Sequence, residues 1–537
     1  MPISCWIRQE RPVLRSLAAM SCWGLMSLLG IGHATTALWA QGVTEQLVTS
    51  KATPVLWPKT TPEREGMNST ELVKLFDQVR QEKIDVNSII ILRNGHLVLE
   101  SYFAPFKPGE VHDLASVTKS ITGILTGIAL DKGFLKDVRQ PVIGFFPERS
   151  PAHLDARKRK LTLEHLLTMT SGLCRNSEEG EEQPAKMGQS LDGLQYMLDL
   201  PLVEEPGRKF VYSSLAPHLL SAILTRTTGR NLLGFARANL FDPLGIHEVR
   251  WEEDHLGNSH GWGDLCLTPV DLAKIGCLLL NGGRWGQTQI VSSNWIQKSM
   301  QPQIHEDAGT AYGYLWWIPL GDPGLVEARG RGGQRLYIWP QKQLVVVIAG
   351  NGGYLLGGIA EHIKRAVASD LPLPEDARAQ SILAARVAEA ARPSPPKAVL
   401  PLPAQAMEIS GITYAMETNP LGLASFAITF SQGPEAQIKL TFLDHNSKKP
   451  EDWTLGVGLD DAYRKSGSLR YGLPAWAKGG WTSPSEFAFM INEPANNRLF
   501  RFSIRFEGTA LVMKVSERTG LVEDTTIKGH STRGSMP

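Results

Sequence analysis

Ser116 and Lys119 stand one helical turn apart in the stretch Leu114-Ala115-Ser116-Val117-Thr118-Lys119-Ser120, and such a pair can carry acyl-transfer chemistry. A serine at a helix start sits among free backbone N–H groups at the positive end of the dipole, which favours a developing oxyanion. An amine one turn on projects from the same face. It can accept the serine proton once burial or a neighbouring cation lowers its proton affinity. A serine N-cap followed by a solvated lysine accounts for the same spacing, so corroboration has to come from elsewhere. Two more parts are required: a second proton-handling group and a pair of N–H donors for the oxyanion. Tyr212-Ser213-Ser214, after the Pro206-Gly207 turn, supplies a phenol that could be deprotonated beside a lysine cation, or share the proton with it, well below its solution pKa. A core tyrosine with a satisfied hydroxyl is the alternative. Gly330-Arg331-Gly332-Gly333-Gln334 offers paired glycines for close approach of a ligand backbone, and the N–H of Gln334 as second oxyanion donor beside that of Ser116. A glycine-rich turn or bulge at a strand start is the alternative there.

Taken in order, Ser116-Val117-Thr118-Lys119, Tyr212-Ser213-Ser214 and Arg331-Gly332-Gly333 resemble the Ser-x-x-Lys, Tyr-x-Asn and Lys-Thr-Gly or His-x-Gly motifs of the serine β-lactamase and penicillin-binding-protein superfamily. The likeness is closest to its class C-like branch, which includes class C β-lactamases, family VIII carboxylesterases, D-alanyl-D-alanine peptidases and 6-aminohexanoate-dimer hydrolases. Thr170-Ser171-Gly172-Leu173, Leu267-Thr268-Pro269-Val270-Asp271-Leu272-Ala273-Lys274 and Tyr312-Gly313-Tyr314-Leu315-Trp316-Trp317 add supporting blocks between Thr61 and Ala368. The resemblance implies an acyl-enzyme hydrolase with Ser116 as nucleophile, Lys119 as general base and Tyr212 as proton relay. It further implies oxyanion donors at Ser116 and Gln334, and substrate contacts at Gly332, Gly333, Arg331 and Ser214. Two departures stand out. Ser214 replaces the asparagine that would contact a β-lactam side chain. Arg331 replaces lysine or histidine; it cannot relay protons, but it can hold a carboxylate bidentately. Ester or amide hydrolysis fits these changes better than β-lactam hydrolysis. A D-alanyl-D-alanine peptidase or β-lactamase is the first alternative, and a ligand- or cell-wall-binding protein of the same fold is the second. Arg331 either anchors a negatively charged substrate end or pairs with an acid such as Glu327.

The elements that must position these residues can be read from periodicity. Ile121, Ile124, Leu125, Ile128 and Ala129 repeat with helical spacing, and Gly133 is placed to stop the helix. Ser69 to Gln81 reads as an amphipathic helix. Asn94-Gly95 between Val86–Arg93 and His96–Tyr102 is a strong hairpin signal. From Ser120 to about Gly321 the pattern predicts helices and long loops, with one helix from Lys186 to Leu200 and another opening at Thr268-Pro269. Trp316 and Trp317 divide between core and pocket wall, and His112 and His165 read as structural. Strands return at Gly333–Trp339 and Leu344–Ala349, and Ala360–Ala368 closes the unit. The fold class is α/β: a β-lactamase-like antiparallel sheet flanked by helices plus a helical lobe. A proline- and alanine-rich linker with one short helix follows over 371–405. Alternating strands over 406–537 predict a separate C-terminal antiparallel β domain, to which no site is assigned.

Composition bounds the partners. The 537 residues carry a formal net charge of +1, without the basic footprint of a nucleic-acid or anionic-membrane binder. A small-molecule or short peptide-like substrate is expected. No metal-ligand spacing, phosphate loop or nucleotide fingerprint is present, so no cofactor and no metal are expected. Arg8, Arg11 and Arg15 before the apolar stretch Leu17–Trp39 predict a signal peptide over 1–40, cut after Ala34 or Ala40, with an arm over 41–66 and the hydrolase over 67–370. That implies export to the periplasm or beyond without a lasting membrane span, or alternatively an uncleaved N-terminal anchor. Of five cysteines, Cys5 and Cys22 would leave with the signal. Cys266 and Cys277 would lie about 16 Å apart along a helix, too far to bridge, so Cys174, Cys266 and Cys277 read as buried thiols.

Overall fold

Every residue of Val86–Arg93 is buried, as expected of a central strand covered on both faces. In the computed structural model, which describes residues 57–353, 355–443, 450–470, 473–519 and 523–532, this strand pairs antiparallel with His96–Tyr102 on one side and Leu344–Gly350 on the other. The expected signal peptide lies outside the described residues, as does the arm up to position 56. Among the described residues no helix is long and apolar enough to cross a membrane. The sheet continues through Arg335–Trp339, Val326–Arg329, Trp317–Pro319, Thr310–Tyr312 and Ile304–His305 to make eight antiparallel strands.

Strand alternation divides the sheet between two cores. Ile89 and Ile91 point to the helices Ser69–Gln81, Leu355–Ala366 and Ala377–Ala390, where they meet Leu75, Phe76, Ile363 and Leu383. Ile90 and Leu92 point to the opposite core, which holds the serine helix Val117–Asp131 and the helix Pro269–Leu280. The helix within 371–405 is therefore part of the covering layer of the sheet.

The serine helix is buried along nearly its whole length, and glycines let its neighbours come close. A Cβ on Gly127 would lie 2.1 Å from Cδ1 of Trp295, whose Nε1 donates to Gly123 O at 3.2 Å. Gly127→Ala must push that indole away. Overpacking of this kind costs about 1–3 kcal/mol, and the urea midpoint of the variant is expected to fall accordingly.

Three local expectations are corrected. The helix predicted from Lys186 to Leu200 is two helices, Ser177–Met187 and Gly193–Asp199; Gly188 ends the first, and the Asp192 side chain caps the second by accepting from Gln195 N. The closing helix starts earlier, at Leu355. The region before Gly321 carries short strands of the main sheet, two or three residues long, too brief to display a period of two.

Beyond the linker, ten strands from Thr413–Met416 to Thr525–Ser531 form a second sheet. A parallel contact between Gly458 and Lys478 closes it, which makes it a barrel around Phe426, Ile438, Leu455, Phe489, Phe502 and Ile504. Its turn Pro494–Asn496 reaches the hydrolase, where Ala495 and Leu473 pack with Cys266 and Val111. Cys174, Cys266 and Cys277 are free and buried.

Candidate active site

The chain enters the serine helix through a sharp turn. Ala115 takes a left-handed φ of 46°, rare for a residue with a Cβ, and its N–H donates to Asp113 Oδ1 at 2.8 Å. Asp113 belongs to the short strand His112–Asp113, paired with Leu265–Leu267. Ser116 occupies the N-cap position, but its side chain makes no capping bond, so the hydroxyl is free for other work.

Lys119 Nζ donates to Ser116 Oγ at 2.8 Å and to Trp262 O at 3.2 Å. The lysine is 1% exposed, and its Nζ lies 4.8 Å from the centre of the Tyr212 ring. The Tyr212 phenol stands near enough to Ser116 and Lys119 for both to favour its anion. Burial raises the Tyr212 pKa above its ordinary 10.0, and the nearby Lys119 charge opposes this only in part. The expectation of a phenol deprotonated by its lysine neighbour is thus corrected: removing the phenolate from water costs more than the cation returns, and Tyr212 keeps its proton.

The tyrosine loop rests on the helix Ser177–Met187. A Cβ on Gly180 would stand 2.3 Å from Tyr212 O; Tyr212 N–H donates to Ser177 Oγ at 3.2 Å and Ser214 N–H to Gly180 O at 3.3 Å. Ser214 Oγ donates to Glu181 Oε1 at 2.6 Å. Trp317 is half-buried with its ring 5.4 Å from that of Tyr212, whereas Trp316 is fully buried.

The third glycine-rich segment lies along the serine turn. A Cβ on Gly330 would be 2.5 Å from Leu114 O and 3.3 Å from the Ala115 Cβ. Ser116 stands at the N-terminal end of the helix Val117–Asp131, and Gln334 directly precedes the strand Arg335–Trp339. The glycines serve a different purpose from the one expected. Gly332 has φ 77°, and a Cβ there would stand 2.0 Å from Asn497 Oδ1; Gly333 has φ 103°, and a Cβ there would stand 2.6 Å from Gly353 O. Protein fills both openings where a ligand backbone was anticipated. The Gln334 side chain bridges to Gly350 O at 2.6 Å and Gly350 N at 3.2 Å.

Arg331 Nη1 donates to Asn497 O at 3.2 Å and to the Thr519 hydroxyl, and Nη2 lies 4.0 Å from Asp113 Oδ2. The Glu327 pairing is corrected: Glu327 holds Arg329 at 2.7 Å. Ser116, Ser214 and Arg331 line a cavity of about 280 Å³; Lys119 and Tyr212 reach it through Ser116, while Gly332, Gly333 and Gln334 do not line it.

Several lining residues escape sequence reasoning: Trp262, Asp113 and Asp264, together with Leu473, Asn496 and Arg498 from the barrel. Trp262 is clamped between two His–Asp pairs. The His260 ring stacks on it at 4.1 Å and bonds Asp264 at 2.7 Å; His218 meets it edge-on at 4.6 Å and bonds Asp254 at 3.0 Å. Trp262 supplies the carbonyl that accepts a hydrogen bond from Lys119 Nζ. No spacing in the sequence marks it. His112 bonds Asp113 O and Asn87, and burial lowers its pKa to about 4; His165 bonds Thr162.

Burial and the neighbouring Asp264 push the Asp113 carboxyl up from 3.8 to about 7, against the pull of Arg331 and Ala115 N–H. The folded chain then holds a proton that the unfolded chain has already lost, so this group's contribution to stability falls as pH rises from about 4 to about 7. Asp113→Asn, which keeps an acceptor for Ala115, is expected to flatten that fall; urea midpoints at both ends of the window measure it.

The Beta-lactamase family model matches residues 72–368. A 6-aminohexanoate-dimer hydrolase of Paenarthrobacter ureafaciens is 25% identical over 288 residues, covering 50% of this chain and 73% of that protein. Esterase EstB of Burkholderia gladioli is 28% identical over 200 residues, covering 34% of this chain and 50% of that one. A solved Bacillus anthracis structure named for 6-aminohexanoate-dimer hydrolase superposes with a TM-score of 0.50 at 22% identity, over 60% of this chain and 89% of its own, a likeness of fold alone.

Proposed function

The chain belongs to the Beta-lactamase family and is a serine hydrolase, and on that premise we propose that it is exported and cleaves an ester or amide bond through an acyl-Ser116 intermediate. One observation carries the reading: a buried amine 2.8 Å from a serine hydroxyl that does no capping, at the wall of a cavity. Ser116 Oγ attacks the carbonyl carbon as its proton passes to Lys119 Nζ, the general base. The oxyanion takes the N–H group of Ser116, with that of Gln334 assigned as second donor. Tyr212, a neutral phenol, gives its proton to the leaving group as it receives the one held by Lys119, so the site returns to its starting protonation. Water then attacks the acyl carbonyl along the same path in reverse.

Ser214 has its hydroxyl engaged by Glu181, which leaves it poorly placed to hold a β-lactam side chain and favours esters and simple amides. A fluorophosphonate label mapped by mass spectrometry, followed by an ester, amide and β-lactam panel, tests the reading; labelling at a serine other than Ser116 refutes it. Export rests on the basic-then-apolar N-terminus, and N-terminal sequencing of the protein from the periplasmic fraction checks it.

A further inference from the structure

Beside the barrel turn that meets the hydrolase, two polar side chains have buried nitrogens without hydrogen-bond partners among the described residues. Arg498 lines the cavity, is 4% exposed, and has Nε and Nη1 buried without a hydrogen-bond partner among the described residues. Asn496 lines it too, is 6% exposed, and its Nδ2 is equally unpartnered. A buried guanidinium with unmade bonds is costly, and a fold tolerates it where a ligand completes the bonding.

The residue between them fixes the turn in place. Asn497, in the left-handed region at φ 52°, donates through Nδ2 to Arg331 O at 2.6 Å and accepts from Gln334 Nε2 at 3.0 Å. The turn is thereby pinned to the segment that carries the Gln334 oxyanion donor, and its flanking side chains face the space in front of Ser116. Arg331 offers a less complete fork, since its Nη1 is bound to Asn497 O and Thr519.

We infer that Asn496 and Arg498 form a carboxylate subsite in the cavity, so that the C-terminal barrel selects acyl substrates bearing a free carboxylate. The inference rests on the Ser116 hydrolase reading. The planar fork of Arg498 matches two carboxylate oxygens, and the Asn496 amide adds a third donor. A phosphate dianion fits less well, because Asp113, Asp264, Glu181 and Glu252 share the walls and a second negative charge would face them.

The full-length chain is assayed with the mono-4-nitrophenyl ester of glutaric acid and with neutral 4-nitrophenyl pentanoate. The wild type is expected to favour the anionic ester in kcat/KM. Arg498→Met should cut the anionic-to-neutral ratio about tenfold or more, chiefly through KM, because the contact exists in ground and transition states alike. Arg498→Lys should restore part of the ratio, and Asn496→Ala should lower it less. If Arg498→Met fails to fold, the Lys and Asn496 variants decide by the same ratio. No preference in the wild type, or an unchanged ratio in the variants, overturns the subsite. Fluorophosphonate labelling of Ser116 on the same preparations separates the two failures: labelling with an unchanged ratio refutes the subsite alone, and absence of labelling refutes the hydrolase reading beneath it.

Discussion

Ser116→Ala is expected to end covalent labelling by fluorophosphonates and to lower kcat by about 10⁴-fold or more, the order seen when a nucleophile that acts as part of a unit is removed. The variant should also remain folded. An N-cap serine that bonds the first-turn amides costs about 1 kcal/mol on truncation to alanine. Ser116 makes no such bond, so the penalty should be smaller, and the thermal midpoint should scarcely move. Loss of activity with an intact midpoint separates chemistry from architecture. Residual labelling mapped to another serine would remove Ser116 from the mechanism.

Lys119→Ala and Tyr212→Phe should each lower kcat by about 10²-fold or more, the usual contribution of a positioned proton-transfer group. The two losses differ in kind. Lys119 holds Ser116 Oγ and Trp262 O together, so its removal takes away the base and leaves a buried carbonyl without its donor. Tyr212→Phe keeps the ring that packs against Trp317 and under Lys119 and deletes only the hydroxyl. Because burial holds the phenol protonated, that variant should scale the pH–rate profile down without moving its limbs. Near-wild-type turnover in Tyr212→Phe would make the tyrosine a packing residue and leave the leaving group without a protein proton donor.

What the sequence by itself determined about this protein was local. The Asn94-Gly95 hairpin, the serine helix with its stop at Gly133, the Thr268 cap and the alternating barrel strands follow from turn chemistry and periodicity, which act between residues a few positions apart. The order of the three motifs carried the family and pointed to Ser116, Lys119 and Tyr212; the fold puts Lys119 in hydrogen-bond contact with Ser116 and 4.8 Å from the Tyr212 ring. Tertiary structure alone decided the rest, for two physical reasons. Burial is a collective property: it keeps the Tyr212 proton and lifts Asp113, whereas a list of neighbours in sequence suggests only that a lysine lowers a tyrosine. Contacts distant in the chain leave no local period: the Gly332 opening taken by Asn497, the Arg331 fork tied to Thr519, and the entry of Arg498 into the cavity all join segments more than 160 positions apart. A glycine or an arginine in the sequence states what it can accept, and the partner that folding delivers settles which of those options it takes.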